Sequence, residues 1–145
     1  MDPREFQDLA SKLVTGASAA EIRTAVSRAY YATFHVGIEL LESMEFRISK
    51  GPSGHGEVRD HLSNGGAPEI QAVGQQLSDL HSKRIRADYR LDRRDVENRK
   101  TALADIEQAN RMIQTLDELR EEPKRSQVIT SIQQWRNRIS EARAE

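Results

Sequence analysis

Apolar residues recur along this chain at intervals of three and four, and no window alternates apolar with polar as a strand would, so the chain reads as helix and turn. Asp2-Pro3-Arg4-Glu5 combines an N-cap, a proline at the first helical position and a glutamate placed to close a capping box. It predicts a short helix with Phe6, Leu9 and Leu13 on one side, ended by Gly16. Ser18 to Glu21 is a second capping box. Behind it Ile22, Ala25, Val26, Ala29, Thr33, Val36, Leu40 and Met44 define the core face of a long helix reaching about residue 45. The glycine-rich stretch 46–68 is a loop interrupted by a short helix around Glu57 to Leu62. Pro68 opens another helix with Ile70, Val73, Leu77 and Leu80 as its stripe. A further one runs from Asp95 to Glu122 with Ala102, Leu103, Ile106, Ala109, Ile113 and Leu116, and Pro123 stops it. From Ser126, the residues Val128, Ile132, Trp135, Ile139 and Ala142 form a coiled-coil-like seam on a charged helix. The expectation is an all-α protein: an antiparallel bundle of four or five helices over residues 1–122, with a C-terminal amphipathic helix over 123–145 packing on the bundle or on a partner.

Polar residues interrupt this pattern in two places. At about 100° per residue, Arg84 and Asp88 fall within about 40° of Ile70, and His81 lies beside them, so three polar groups continue a core stripe. Lys83, Arg86 and Arg90 fall on the opposite side. Arg84 and Asp88, one turn apart, fit either a structural ion pair or a functional cleft. On the preceding long helix Arg28, Tyr31 and His35 turn away from the core face, beside Phe34 and Ile38. A second face of that kind is buried deep in a bundle or meets another subunit, and a homodimer is the favoured reading.

Composition narrows the setting. With 145 residues and 37% hydrophobic content, one domain with a real core is the default. The chain has no cysteine, which removes disulfide frameworks and thiolate metal sites. Neither a bilayer-spanning apolar run nor a signal-peptide layout is present, so a cytoplasmic protein with no membrane role is expected. The net charge of −1 hides a local cluster: residues 83–100 carry eight basic side chains against four acidic ones. Such a cluster is either a solvated, salt-bridged surface or a polyanion-binding patch. No metal site, cofactor site, phosphate-cradling loop or serine-nucleophile signature is expected: His55 and His61 stand poorly spaced on a helix, and the glycines at 51, 54 and 56 lead to no lysine with serine or threonine.

AVSRAYYATFH (residues 25–35) and RIRADY (residues 84–89), with a glycine-rich loop between them, resemble the paired motifs of one bacterial branch of the HEPN domains, the higher eukaryotes and prokaryotes nucleotide-binding family. The resemblance spans roughly residues 5–120 and implies a dimerising helical bundle whose polar patches form one cleft. Many HEPN proteins are metal-independent endoribonucleases, often toxins of toxin–antitoxin or antiphage systems, which use an arginine followed four to six residues later by a histidine. That pairing suits the chemistry. Attack by a ribose 2′-hydroxyl on the adjacent phosphate needs a proton acceptor near neutral pH and a cation for the charged phosphorane. Here the position after Arg84 that should hold histidine holds Tyr89, whose ordinary pKa lies near 10. Arg28 with His35, or His81 one turn before Arg84, could supply the imidazole. By resemblance the catalytic candidates are Arg84, Asp88, Tyr89, His35 and Arg28, and the RNA-binding candidates are Lys83, Arg86, Arg90, Arg93, Arg94 and His81. RNA or a nucleotide is the expected ligand, a nucleotidyltransferase-type antitoxin a possible partner, and Tyr89 the tyrosine such a partner would modify. A non-catalytic nucleotide- or RNA-binding or protein-interaction module is the alternative.

Overall fold

Six α-helices follow one another in the computed structural model, which describes residues 1–144: α1 (Arg4–Leu13), α2 (Ala19–Ser43), α3 (Gly54–Ser63), α4 (Pro68–Tyr89), α5 (Arg99–Glu118) and α6 (Lys124–Ala144). Among the described residues there is no strand, and the all-α class expected from the sequence is the observed one.

Local chemistry accounts for the helix starts. The Asp2 carboxylate accepts from the Arg4 backbone N–H at 2.9 Å and caps α1. At α2 the box closes in both directions: the Glu21 N–H donates to the Ser18 hydroxyl at 3.1 Å, and the Ser18 N–H donates to the Glu21 carboxylate at 3.2 Å. The helix expected from Asp95 begins later, at Arg99, because Asn98 acts as its N-cap and accepts from the Thr101 N–H at 3.0 Å. Residues Arg94–Glu97 form a 3-10 turn in its place.

Every residue assigned to the core face of α2 is buried, as is the stripe Ile70, Val73, Leu77 and Leu80 of α4. Three assignments need correction. In α1 the buried side is Pro3, Gln7, Ala10 and Val14, while Leu9 is exposed. The reason is Gln7, whose amide donates to the Ile106 carbonyl and to Asn110, both at 3.0 Å, and this rotates the apolar side chains to the rim. In α5 Leu103 is exposed and Asp105 buried, since Asp105 is held by Lys83 at 2.5 Å. In α6 burial is complete only at Val128 and Ile132. Trp135 and Ile139 are half-buried and Ala142 is exposed.

The chain forms two compact units, Met1–Val36 with Gln76–Gln114, and Gly37–Gln75 with the chain from Thr115 on. In the first unit α2 and α4 run antiparallel. Arg23 and Ser27, early on α2, meet Ala87 and Asp88 at the end of α4, whereas Tyr30 and Tyr31, further along α2, meet His81 and Arg84 earlier on α4. In the second unit α3 approaches α4 closely, since a side chain at Gly74 would overlap Ser63. Gly66, with φ of 92°, turns the chain into α4. No helix among the described residues is long and apolar enough to cross a membrane.

Candidate functional site

The two polar interruptions of the sequence pattern face each other in the first unit. Arg84 is 9% exposed despite its charge. Its guanidinium donates a hydrogen bond to the Tyr31 hydroxyl oxygen, and its Nε lies 3.4 Å from an Asp88 carboxylate oxygen without the alignment of a hydrogen bond. The cation sits 5.0 Å from the centre of the Tyr31 ring and 5.7 Å from that of Tyr89. Burial acts to lower the Arg84 pKa. The Tyr31 hydrogen bond and the Asp88 charge outweigh it, so the group is held above its ordinary value and stays charged.

Asp88 ties this group to α2, because the buried Ser27 hydroxyl donates to its Oδ2 at 3.0 Å. Arg28 extends the patch, its guanidinium lying between the rings of Phe6 at 4.9 Å and Tyr31 at 5.0 Å. His35, one turn further, stacks on Tyr31 with ring centres 6.2 Å apart and is also flanked by Phe6 and Phe34. Arg28, Tyr31, His35, Arg84 and Asp88 therefore form one continuous patch built around the Tyr31 ring.

The other candidate residues divide. Tyr89 lies at the rim, 71% exposed, so its ring does not pack in the core. His81 stacks on Tyr30, the neighbour of Tyr31, with ring centres 4.9 Å apart. Lys83 binds Asp105, and Arg86, expected to face outward, is half-buried in a small cleft with Val26, Asp95, Asn98 and Asp105. Arg90, Arg93 and Arg94 pair locally with Asp92 at 3.4 Å, Asp95 at 3.1 Å and Glu97 at 2.7 Å. Hydrogen bonds from Arg90 and Arg93 hold the Asp92 and Asp95 carboxyls below the usual carboxylate range. Much of the basic cluster is thus spent on neighbouring acids. Exposed pairs of this kind contribute little to stability.

Sequence reasoning missed Arg23, the residue that fixes the end of the RIRADY helix. It is 7% exposed, and its guanidinium donates to the carbonyls of Arg86, Ala87, Arg90, Leu91 and Arg93 and to the Glu97 carboxylate. The carbonyls of Arg86 and Ala87 belong to the last turn of α4, where backbone donors run out: Arg86 still accepts from the Arg90 N–H at 3.0 Å, and Arg23 serves Ala87. A signal was present, because Arg23 falls within about 20° of Tyr30 on the helix wheel, beside the core face rather than opposite it. Ser27 and Tyr30 were missed as well.

Among the described residues no group of three histidines, aspartates or glutamates is placed to hold a metal ion. Comparison with protein families, with curated proteins and with solved structures gives no match.

Proposed function

We propose that the Tyr31-centred patch binds the phosphate backbone of RNA and cleaves it without a metal ion, as in the HEPN endoribonucleases that AVSRAYYATFH and RIRADY resemble. The observation that carries this reading is that the two motifs, far apart in sequence, fold against each other through Arg84 with Tyr31 and Asp88 with Ser27. His35, ringed by aromatics at the edge of the patch, is the proton acceptor for the 2′-hydroxyl. Arg84 and Arg28 neutralise the phosphorane, and the exposed Tyr89 ring stacks on a base. Asp88 holds Arg84 in place and does not touch the reacting atoms. The protein acts in the cytoplasm as a toxin-type enzyme, and a homodimer brings two patches together. Exposed Tyr89 and Leu91 beside the site supply apolar surface for that contact.

A second reading, a non-catalytic nucleotide- or RNA-binding module, is favoured by one observation: the Asp88 carboxylate already partners Arg84 and places negative charge where a phosphate would sit. One experiment separates the two. Purified protein is incubated with total RNA in EDTA, and the products are analysed for 2′,3′-cyclic phosphate ends. Cleavage that His35→Ala and Arg84→Ala both abolish, with helicity retained, supports the enzyme. RNA retention without cleavage across pH 5–9 supports the binding module. Neither binding nor cleavage defeats both.

A further inference from the structure

The second unit holds a buried histidine that the proposed site does not use. His61, on α3, is 8% exposed. Its Nδ1 lies 2.6 Å from the Glu57 carbonyl oxygen, an acceptor only, so the ring proton sits on Nδ1 and donates there. Nε2 is left as a bare lone pair, buried with no hydrogen-bond partner. The ring is enclosed by Phe46 at 5.9 Å and by Trp135 of α6, nearly edge-on at 5.0 Å. Arg136, the next residue of α6, lies over the Phe46 ring at 5.4 Å.

We propose that His61 is an acid-sensitive latch for α6: neutral, it accepts Trp135 against its ring, and protonated, it releases the helix from Trp135 onward. Protonation places a proton on Nε2, where no acceptor waits, and a charge in a site that burial has taken out of water. The charged groups acting on the ring are Glu57 and Asp60 of α3, which favour the cation, and Arg136 of α6, which opposes it. Burial is the largest influence, and the balance holds the His61 pKa below its ordinary value. The released state therefore takes up the proton more readily. The contribution of this contact is complete above about pH 6.5 and is lost as the pH falls through the lowered value. Relief has to come from α6 rather than α3, because Val58 and Leu62 on either side of His61 are fully buried. Beyond Ile132, α6 has no fully buried residue.

Trp135 is the chain's one tryptophan, so its emission reports this contact directly. Emission is followed from pH 8 to pH 5 together with helicity, and His61 is titrated in parallel by its ring proton NMR signal. The expected result is a loss and red shift of emission with a midpoint below 6.5, coincident with the His61 titration, while most helicity remains. Backbone amides of α6 should exchange faster after the transition, and those of α5 should not. In His61→Gln, which cannot titrate, the emission change should disappear. The same titration on wild-type protein decides the matter even where that variant fails to fold. Emission that stays flat to pH 5, or that changes apart from the His61 titration or persists in a folded His61→Gln, overturns the proposal.

Discussion

Replacing Arg23 by methionine keeps the apolar stem and removes every donor. Its guanidinium has five N–H groups, and they serve seven contacts, five to carbonyls and two to one Glu97 oxygen. The acceptors stay behind in the variant, so this differs from replacing a whole buried ion pair by apolar groups, which can be neutral. The carbonyls of Arg90, Leu91 and Arg93 belong to exposed residues and can turn to water. That of Arg86 keeps the Arg90 N–H at 3.0 Å, whereas that of Ala87 is fixed by the helix and its bond from Arg23 is fully buried. One stranded buried carbonyl at roughly 1–3 kcal/mol gives a loss of about 1–3 kcal/mol. For a chain of this length that corresponds to a fall in Tm of roughly 3–10 °C. Urea titration followed by circular dichroism measures the free-energy change. Hydrogen exchange should show the last turn of α4 and residues 90–97 losing protection ahead of the rest. A loss under about 0.5 kcal/mol, or protection unchanged at Ala87 and Arg90, would refute the assignment of Arg23 as the cap of this helix.

Glu45 is exposed and carries φ of 69° just after α2, where the Phe46 N–H returns to the Leu41 carbonyl at 2.9 Å. Glu45→Gly relieves that left-handed conformation and should raise stability by up to about 1 kcal/mol in urea titration. Gly66→Ala should do the opposite and lower Tm, because its φ is also positive and an added Cβ would overlap Ser131. Ser18→Ala should cost about 1 kcal/mol at pH 7, read by the same titration. Its partner Glu21 has a pKa below the ordinary 4.5, through the Ser18 hydroxyl first and the Ser18 N–H second. That part of the stability is present above the unfolded value and is lost as pH falls through the lower folded one, so the gap between wild type and Ser18→Ala should narrow in acid.

Periodicity was enough to find the helices and the buried stripes of α2 and α4, because a helix records its buried side in spacing alone. The same arithmetic placed Arg84 on the buried side. It failed where a polar group decided the orientation. Gln7 turns α1 by bonding to Ile106 and Asn110, and Asp105 replaces Leu103 inside because Lys83 neutralises it. Those partners lie up to 103 positions away, and no local pattern announces them. The late start of α5 was closer to hand, since Asn98 three residues before Thr101 is a recognisable cap. Of the patch, the RIRADY half and Arg28, Tyr31 and His35 were visible as misplaced polar residues. That Ser27 joins the halves through Asp88 was not.

The two buried arginines of the first unit show how donor counting separates scaffold from site. Arg23 has committed all of its N–H groups to carbonyls and Glu97, so a ligand phosphate could reach it only by breaking the end of α4. Arg84 is in a different position. Among the described residues its one hydrogen bond goes to Tyr31, its Nε has none, and its ion pair with Asp88 is loosely aligned. A guanidinium that is held charged, enclosed by aromatic rings and left with unspent donors loses little by accepting an anion, since its desolvation cost has already been met in folding. Asp88 opposes that anion, but its side chain is 31% exposed to water and also held by Ser27. The anion proposed for this patch would therefore meet unspent donors at Arg84 and none at Arg23, although both residues carry the same charge at nearly the same burial.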